Sequence, residues 1–490
     1  MTHLLFAVSE AHPLIKTGGL ADVACSLPRA LQPHLRTLRL IMPAYRQAIA
    51  RAGQLKPIAT LQLAGFTEPV RILEGKMTDS GITLWLVDAP AYFDREGGPY
   101  GDTEGIDWPD NAARFTLFAR AVVEIACGRA GLGWQPDIVH CNDWQTGLVP
   151  ALLQHETVRP ATVFTIHNLA YQGQFEAAVF PTLALPASLW GSEGLEFYGR
   201  LSFLKGGIAF ADRLTTVSPT YAREIQTPEL GYGLEGLLAF RATRLTGILN
   251  GADYTQWEPA HDAFIEKPYD IHSLHLKAVN KRALQRSMGL PHTADVPLLG
   301  MIGRLVEQKG IDLLLAILPS LLQQPVQLAV LGSGEKKFEQ VLLEIARRHP
   351  HQIAVYIGYS EELAHRIEAG ADMFLMPSRF EPCGLNQIYS LRYGTVPIVR
   401  HTGGLADSVV DATPGHLQSG TATGFVFDAT TPEALLHALQ RALALYHQPV
   451  QWRKVVACGM QQDFSWGSST DAYLEVYRQA LADRGTPAPV

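Results

Sequence analysis

The chain has 490 residues, and its 40 basic and 47 acidic side chains give a formal net charge of -7. Hydrophobic residues make up 47% and charged residues 18%, a balance typical of a globular protein and outside the range of a disordered one. The acidic balance and the lack of a basic tract argue against nucleic acid as a partner. At roughly 150 residues per domain, the length predicts about three domains, or two large ones if each is an open α/β sheet.

The cysteine content and the apolar segments predict a cytoplasmic protein. The five cysteines are far apart and include no C-x-x-C pair, as expected in a reducing compartment. The N-terminal apolar run, residues 4–8, is too short for the core of a signal peptide and predicts a first buried strand. The most apolar stretch, residues 313–331, is interrupted by Pro319 and Pro325, so no membrane-spanning segment is expected.

Short apolar or β-branched runs alternate with helical patterns along the chain, which predicts parallel sheets flanked by helices. The runs form two series and therefore two doubly wound units in tandem. The first series is residues 4–8, 37–42, 83–87, 138–141, 162–166 and 213–217, and the second is 297–302, 327–331, 353–357, 373–376, 396–399 and 424–427.

The expected domains are residues 1–250 and 251–465, followed by a C-terminal segment, 466–490. Residues 250–270 show no sustained helical or strand period and are the predicted linker. A helical pattern over 468–481 could pack on either domain.

One hexapeptide, Thr-Gly-Gly-Leu-Ala-Asp, occurs at residues 17–22 and again at 402–407, each time before a helix-like stretch. Paired glycines at a helix start leave N–H groups that can bind an anion, helped by the helix dipole. One such loop in each domain implies a ligand held between the domains. The alternative is that each Gly-Gly serves only packing.

Three cations follow predicted strands near glycines. Lys16 directly precedes the first glycine turn, where it can meet an anion. Arg304 and Lys309 surround a short loop after the first strand of the second series, and a guanidinium with an ammonium suits a diphosphate. The alternatives are a solvated lysine in the first case and surface pairs with Glu307 or Glu335 in the second.

Other candidate side chains also lie just after strands. Glu381 is placed on a loop that opens a helix, where its carboxylate can bind sugar hydroxyls. Asp143 and Glu381 are acid/base candidates, and His167 is a candidate hydrogen-bond donor to substrate. A structural histidine and an N-capping aspartate remain the alternatives. Cys383 could be a nucleophile, but a packed, unreactive thiol is favoured.

Familiar phosphate and metal motifs are missing from the sequence. Neither G-x-G-x-x-G after a strand nor G-x-x-x-x-G-K-[ST] occurs. His, Cys and Asp residues also lack the spacing of a zinc site, so no structural metal is expected.

Taken together, the motifs closely resemble those of the bacterial glycogen synthase family, in order and over essentially the whole chain. The matching segments are Lys16-Thr-Gly-Gly-Leu, Asp143-Trp144, His167-Asn168, Ala170-Tyr171-Gln172-Gly173, Phe203-Leu204-Lys205, Thr216-Val217-Ser218-Pro219, Gly231-Tyr232-Gly233, Leu249-Asn250-Gly251, Gly303-Arg304, Lys309-Gly310, Glu381-Pro-Cys-Gly-Leu and Thr402-Gly403-Gly404-Leu405.

The resemblance implies a GT-B architecture, in which two Rossmann-like doubly wound domains face a deep interdomain cleft, with the acceptor on the N-terminal side and the nucleotide sugar on the C-terminal side. It implies transfer of glucose from ADP-glucose to the non-reducing end of an α-1,4-glucan, with retention of configuration and with no metal or other cofactor. A homo-oligomer is compatible with the family.

The family's site residues carry over by motif. Lys16, Arg304 and Lys309 would hold the donor diphosphate, and Glu381 with the backbone of Cys383 and Gly384 would hold glucose hydroxyls. His167 and Asp143 would face the glucosyl and acceptor side. The remaining residues implied to bind ADP-glucose are Gly18, Gly19, Asn250, Thr402, Gly403 and Gly404.

Two positions depart from the family or its relatives. Asn142 stands where the family often has histidine, which is expected to alter only hydrogen bonds around the site. The E-x7-E pattern of related retaining transferases would require glutamate at Tyr389, which leaves the ribose contact unassigned.

Several rival functions share this architecture. A related transferase could use UDP-glucose or a small acceptor, as a sucrose-type synthase does, and a non-catalytic glucan-binding relative could keep the fold. Glycogen phosphorylase is a longer chain that uses pyridoxal phosphate. The presence of all four charged residues, Lys16, Arg304, Lys309 and Glu381, argues against a non-catalytic relative.

Overall fold

The structure is a computed structural model that describes residues 2–484 and divides into two compact units. The first unit comprises Met1–Gly251 with Trp466–Val490, and the second is Ala252–Ser465. The chain therefore leaves the first unit once and returns to it at its end.

The first unit contains a large sheet and a small one. Its strands in the described chain are β1 His3–Ala7, β2 Thr37–Pro43, β3 Lys56–Leu61, β4 Val70–Lys76, β5 Thr83–Asp88, β6 Ile138–Asn142, β7 Ala161–Ile166, β8 Gln174–Glu176, β9 Glu196–Phe197, β10 Arg200–Ser202, β11 Arg213–Thr216 and β12 Leu245–Gly247. The large sheet has the order β12-β11-β7-β6-β1-β2-β5-β4-β3, and the small one β8-β10-β9.

The large sheet is parallel from β12 to β5, while β3 and β4 extend it as an antiparallel hairpin. Strand order reverses at β1, which pairs with β2 on one side and with β6 on the other. Parallel strands buried on both faces are mostly apolar, and every residue of β7 is buried, including Thr162 and Thr165.

The second unit is one parallel sheet of the order β15-β14-β13-β16-β17-β18, which is the Rossmann strand order. Its strands in the described chain are β13 Leu298–Ile302, β14 Gln327–Gly332, β15 Ile353–Ile357, β16 Met373–Met376, β17 Val396–Arg400 and β18 Phe425–Phe427. The order reverses between β13 and β16, which pair directly.

Helices cover the sheets in both units. In the first unit they are α1 Gly19–Leu31, α2 Arg46–Arg51, α3 Pro90–Phe93, α4 Asn111–Ala126, α5 Leu148–Leu153, α6 Phe203–Phe210, α7 Pro219–Glu224 and α8 Glu235–Phe240. In the second they are α9 Lys277–Ser287, α10 Ile311–Leu321, α11 Lys336–Arg348, α12 Glu361–Gly370, α13 Asn386–Arg392, α14 Gly403–Ser408, α15 Pro414–Ser419, α16 Pro432–Tyr446 and α17 Pro449–Met460. Short 3₁₀ helices include Trp144–Thr146 and Glu307–Lys309.

The C-terminal helix, α18 Trp466–Asp483, packs against α1, β6 and β7 of the first unit. Tyr477 on this helix lies 2.7 Å from Nδ1 of His140 in β6, and Ser469 donates a hydrogen bond to the Leu249 carbonyl. The sequence alone was compatible with packing of this helix on either domain.

The expectation of two Rossmann-like units is confirmed, and each of the twelve predicted strands is present with its ends within one residue. The strands that sequence patterns missed are β3, β4, β8, β9, β10 and β12. β8, β9, β10 and β12 have only two or three residues each, and β3 is a partly exposed edge strand that contains Pro57. β4 alternates buried Val70 and Ile72 with exposed Arg71, a signal that the sequence-based prediction did not use. The antiparallel β3–β4 hairpin therefore extends the predicted parallel sheet of the first unit at one edge.

Candidate functional site

The sequence motifs lie at the points where strand order reverses in the two sheets. In the first unit, the loop after β1 carries Lys16 and the loop after β6 carries Asp143. In the second, the loop after β13 carries Arg304 and Lys309, and the loop after β16 carries Glu381. Open α/β sheets bind ligands at the carboxyl ends of strands beside such reversals. Each unit thus has its own candidate ligand-binding edge.

The loop after β1 is held by a carboxylate that sequence reasoning missed. Glu10 is buried and accepts hydrogen bonds from the Thr17 backbone N–H at 2.6 Å and from the Thr17 hydroxyl at 2.8 Å. Tyr100 also donates to Glu10, at 3.3 Å. Burial raises the pKa of Glu10 to about 7, and the bonds from Thr17 and Tyr100 oppose that rise. Glu10 therefore fixes the Lys16–Gly19 turn.

The first glycine turn is open on its outer side. Lys16 Nζ lies 2.8 Å from Oδ1 of Asp22, and both side chains are about a quarter exposed, at 26% and 29%. Gly18 and Gly19 are exposed, and a Cβ built on either would meet no atom of the described chain within 4 Å. The turn combines a cation with backbone that a ligand can approach closely.

Asp143 and His167 are brought together at neighbouring strand ends. Asp143 Oδ1 accepts a hydrogen bond from the His167 backbone N–H at 2.8 Å, and the Asn168 N–H also donates to this carboxylate. Burial raises the pKa of Asp143 to about 7. Its side chain does not cap the 3₁₀ helix that follows, so the N-capping alternative is wrong.

The hydrogen bonds of His167 define which ring nitrogen faces outward. Its Nε2 lies 3.0 Å from Oδ1 of Asn142, whose amide nitrogen donates to the Ala7 carbonyl. Nε2 therefore carries the proton, and Nδ1 carries the lone pair. Burial lowers the pKa of His167 to about 3, so the ring is neutral near pH 7. This geometry favours Nδ1 as an acceptor, whereas the sequence suggested a donor.

His140 shows what a structural histidine looks like in the same sheet. It is fully buried, with Nδ1 at 2.7 Å from the Tyr477 hydroxyl and Nε2 at 2.6 Å from the Thr165 hydroxyl. Both ring nitrogens are thus satisfied. His167 is partly exposed, and within residues 2–484 only its Nε2 has a hydrogen-bond partner, so its role in binding a substrate stays a prediction.

Asn250 lies just after β12, at the end of the first unit's continuous segment. Its side chain is 5% exposed, and Oδ1 has no hydrogen-bond partner within residues 2–484. A buried acceptor without a donor is costly, which is consistent with the predicted role in binding a substrate hydroxyl.

In the second unit, Lys309 and Glu381 form the central pair of the site. Lys309 Nζ lies 2.6 Å from Glu381 Oε2, which also accepts a hydrogen bond from the Ser378 hydroxyl at 3.0 Å. Glu381 is 5% exposed, and the Lys309 side chain is 22% exposed. The surface pairing that the sequence left open for Lys309 is therefore replaced by a pairing inside the site.

Close backbone packing brings the Lys309 and Glu381 loops together. Gly310 has φ 71°, and a Cβ there would lie 2.0 Å from the Pro377 carbonyl oxygen. Only glycine fits this position. Arg304 is exposed, with one guanidinium nitrogen 3.1 Å from Oε1 of Gln308, so its charge lies at the surface of the same loop.

The second glycine turn packs beneath the Glu381 loop. Thr402, Gly403 and Gly404 are buried, and the Gly404 N–H donates to the carbonyls of Glu381 and Pro382 at 3.1 and 3.2 Å. That N–H is already used within the protein, which limits what this turn offers an anion. Binding of ADP-glucose by these three residues stays a prediction.

The backbone of Cys383 and Gly384 is held by one amide. Gln387 Nε2 donates to their carbonyls at 3.0 and 2.9 Å. Cys383 is buried, and none of the five cysteines, all of which lie in the described chain, forms a disulfide.

Tyr389, at the position where related transferases have glutamate, is buried and stacks on Trp257 with ring centroids 4.0 Å apart. It belongs to the packing of the second unit, and the ribose contact stays unassigned.

Within residues 2–484 there is no group of three or more His, Cys, Asp or Glu side chains arranged to hold a metal ion. No helix in that range combines the length and the apolar character needed to cross a membrane.

Comparison with known proteins identifies the class. The family model "Starch synthase catalytic domain" matches residues 3–240, and "Glycosyl transferases group 1" matches residues 288–455. The solved catalytic domain of starch synthase IV from Arabidopsis thaliana, bound to ADP and acarbose, has a TM-score of 0.88 and 32% identity over 98% of this chain and 99% of that one. Sucrose-phosphate synthase from Thermosynechococcus elongatus, at TM-score 0.59 and 17% identity, shares the fold. The fold and its motifs define a glycosyltransferase of the GT-B class.

Curated relatives narrow the class to a family. The chain is 56% identical over 481 residues to the glycogen synthase of Thioalkalivibrio sulfidiphilus, covering 98% of this chain and all of that protein. It is 57% identical over 479 residues to glycogen synthase 1 of Methylococcus capsulatus, covering 98% of this chain and 97% of that protein. The chain belongs to the bacterial glycogen synthase family and is a retaining glycosyltransferase.

Proposed function

We propose that the protein transfers glucose from ADP-glucose to the non-reducing end of an α-1,4-glucan in glycogen synthesis, in the cytoplasm. The observation that carries this proposal is the 2.6 Å contact between Lys309 and Glu381. It places a cation suited to a diphosphate beside a carboxylate suited to sugar hydroxyls. The Arabidopsis relative, solved with ADP and acarbose, supports an adenine nucleotide and an oligosaccharide as ligands.

The cations Lys16, Arg304 and Lys309 are assigned to the diphosphate. The side chain of Lys16 is partly exposed and Arg304 is exposed. Lys309 is paired with Glu381 but is still partly exposed, so a ligand can reach it. Because an ammonium or guanidinium stabilises charge that develops on a leaving phosphate, these side chains supply what a metal ion supplies in other phosphate chemistry. The reaction is therefore proposed to need no metal and no other cofactor.

The sugar and the acceptor are assigned to the remaining groups. Glu381, with the backbone of Cys383 and Gly384, binds glucose hydroxyls. Asp143 and His167 face the glucosyl and acceptor side, where Nδ1 of His167 accepts a hydrogen bond from a sugar hydroxyl without taking its proton. Asn250 Oδ1 accepts a hydrogen bond from a substrate hydroxyl, since it lacks a donor within the described residues.

The chemical step follows from these assignments. The bond between glucose C1 and the β-phosphate oxygen breaks while the acceptor 4-hydroxyl oxygen bonds to C1 on the same face. The departing phosphate takes the hydroxyl proton, and ADP leaves. The three cations stabilise the charge on ADP as the oxocarbenium-like sugar forms. Exclusion of water from the sugar prevents its loss to hydrolysis.

The test is ADP or UDP release with glycogen as acceptor, comparing ADP-glucose with UDP-glucose. We expect strong preference for ADP-glucose and a loss of about 100-fold or more in kcat/KM for Lys309→Met and for Glu381→Gln. Lys337→Met is the matched control, because Lys337 forms a 2.7 Å pair with Glu335 that is exposed in the same unit. This control should keep wild-type rates.

Two results would contradict the proposal. Preference for UDP-glucose would keep the transferase class and overturn the donor. The absence of turnover with either donor, in a folded protein that still binds glycogen, would support a non-catalytic glucan-binding protein instead.

A further inference from the structure

Two tyrosines of the first unit have a backbone conformation that tyrosine rarely adopts. Tyr198 has φ 48° and Tyr232 has φ 50°, and the glycines that follow them, Gly199 and Gly233, have φ 76° and 84°. The left-handed region is sterically unfavourable for any residue that carries a Cβ. Such positions persist where the surrounding structure holds them, and they concentrate at functional sites.

The first of these pairs forms the turn between β9 and β10. Two-residue hairpin turns with positive φ at both positions are normally Asn-Gly, Asp-Gly or Gly-Gly. Here the first position is Tyr198, whose side chain is 80% exposed. Core packing therefore does not explain why an unfavourable residue occupies this turn.

The two Tyr-Gly turns lie against each other. A Cβ built on Gly233 would lie 3.0 Å from Cε2 of Tyr198 and 3.0 Å from Cζ of Phe197. A third exposed ring, Tyr171, lies in the chain between Ala170 and Gln172, which line the same cleft as Tyr232, and its phenol adds to the effect of burial in raising the pKa of Tyr232. Tyr171 and Tyr232 are 46% and 40% exposed. Three exposed phenol rings therefore share one surface of the first unit.

A cleft of about 340 Å³ opens at this surface, lined by Ala170, Gln172, Gln174 and Tyr232. Gln172 Nε2 donates to the Tyr232 carbonyl at 3.1 Å, and Gln174 Nε2 donates to Gln172 Oε1 at 2.5 Å. The two amides are thus oriented before a ligand arrives. All four lining residues are uncharged, which does not suit a diphosphate.

We propose that this cleft and its three tyrosines, Tyr171, Tyr198 and Tyr232, form a binding subsite for glucosyl units of the glucan. A pyranose ring offers an apolar face to an aromatic ring and hydroxyls to an amide, so the lining fits an uncharged carbohydrate. The identity of the ligand as an α-1,4-glucan rests on the proposed function. On this proposal, Tyr198 and Tyr232 are retained despite their strained backbone because they present their rings to the glucan.

The experiment substitutes asparagine, which tolerates the left-handed region, for each strained tyrosine. For Tyr198→Asn and Tyr232→Asn in the full chain, we expect maltoheptaose to bind roughly tenfold more weakly by isothermal titration calorimetry. The KM for maltoheptaose as acceptor should rise by a similar factor, while the KM for ADP-glucose stays within about twofold. The melting temperature should not fall, because backbone strain is relieved.

Ala184→Gly is the matched control. Ala184 is exposed and also has a left-handed backbone, at φ 51°, so glycine relieves strain there without removing a ring. Its binding of maltoheptaose should equal that of the wild type.

The subsite is overturned if both asparagine variants bind maltoheptaose as the wild type does, whatever their activity. Weaker binding of ADP with unchanged binding of maltoheptaose would assign the cleft to the nucleotide and also overturn it. A wild type that binds maltoheptaose through these tyrosines but transfers no glucose would support the subsite and contradict the proposed function.

Discussion

The two copies of Thr-Gly-Gly-Leu-Ala-Asp share six residues but differ in the burial of their first three. In the first copy Thr17, Gly18 and Gly19 are exposed, and a Cβ on either glycine would meet no described atom within 4 Å. In the second copy the corresponding residues are buried. A Cβ on Gly403 would lie 1.9 Å from the Glu381 carbonyl oxygen, and one on Gly404 would lie 2.0 Å from the Cys383 carbonyl oxygen.

The difference in burial indicates that the glycines have different roles in the two copies. In the second copy they allow the backbone of the Glu381 loop to pack directly on the turn, so the packing explanation applies there. In the first copy no described atom lies close enough to Gly18 or Gly19 to exclude a side chain. Those glycines leave space that a ligand can use, and Thr17 is fixed instead by Glu10.

The largest expected effect comes from adding a methyl group to the buried copy. Gly403→Ala should destabilise the second unit by about 4 kcal/mol, because a Cβ cannot fit 1.9 Å from a carbonyl oxygen and Gly403 has a left-handed φ of 45°. Hydrogen exchange of α13 and β17 peptides measures this local loss, which whole-chain unfolding of a two-unit protein would obscure.

Gly18→Ala is the control for that variant, since Gly18 has an extended φ of -162° that any residue adopts. Its exchange rates should match those of the wild type. Equal protection of α13 in Gly403→Ala and in Gly18→Ala would show that the two copies do not differ in packing.

The next effect concerns the carboxylate that holds the exposed copy. Burial raises the pKa of Glu10 from 4.5 to about 7, so folding favours its protonated form. Its contribution to stability is complete below pH 4.5 and is lost as the pH rises through 7. The free energy of unfolding of Glu10→Gln, relative to that of the wild type, should therefore rise by about 3 kcal/mol between pH 5 and pH 8.

Hydrogen exchange of β1 and α1 peptides at both pH values, corrected for the intrinsic exchange rate, measures that gain in the first unit. Glu176→Gln, at an exposed side chain of the same unit, should show no comparable pH dependence. A Glu10→Gln variant whose stability parallels that of the wild type from pH 5 to pH 8 would refute the raised pKa.

The smallest change in stability is expected at the exposed copy itself. Gly19→Ala should stabilise the first unit by about 0.5 kcal/mol, because Gly19 is the first residue of α1 and an alanine Cβ meets no described neighbour. The KM for ADP-glucose should nevertheless rise roughly tenfold if the donor approaches this backbone. Steady-state kinetics with both substrates decides this, and an unchanged KM would remove the first copy from the donor site.

Much of the fold was predictable because buried parallel strands are continuous apolar runs. The Glu381 and Lys309 motifs were also identifiable from their positions after strands. Their pairing was not, since it joins residues 72 apart and depends on the close approach of Gly310 to Pro377.

Glu10 was missed for a related reason. A single glutamate after an apolar run gives no sign of burial, and its partners Thr17 and Tyr100 come from separate parts of the chain. The one available signal is that Glu10 is a carboxylate within three residues of the end of β1, where the strand order of the sheet reverses. The contrast between the two glycine turns could not be predicted either, because two identical hexapeptides give no information about the residues that pack against each of them.

The return of α18 to the first unit has a consequence for synthesis of the chain on the ribosome. The second unit, Ala252–Ser465, is continuous and is complete before α18 has been made. The first unit cannot complete its packing until α18 has emerged from the ribosome, because His140 in β6 contacts Tyr477 on that helix. The second unit is thus able to fold before the first is finished, although translation begins with the first. A stop codon just before Trp466 would leave β6 and β7 without their covering helix while sparing the second unit's sheet.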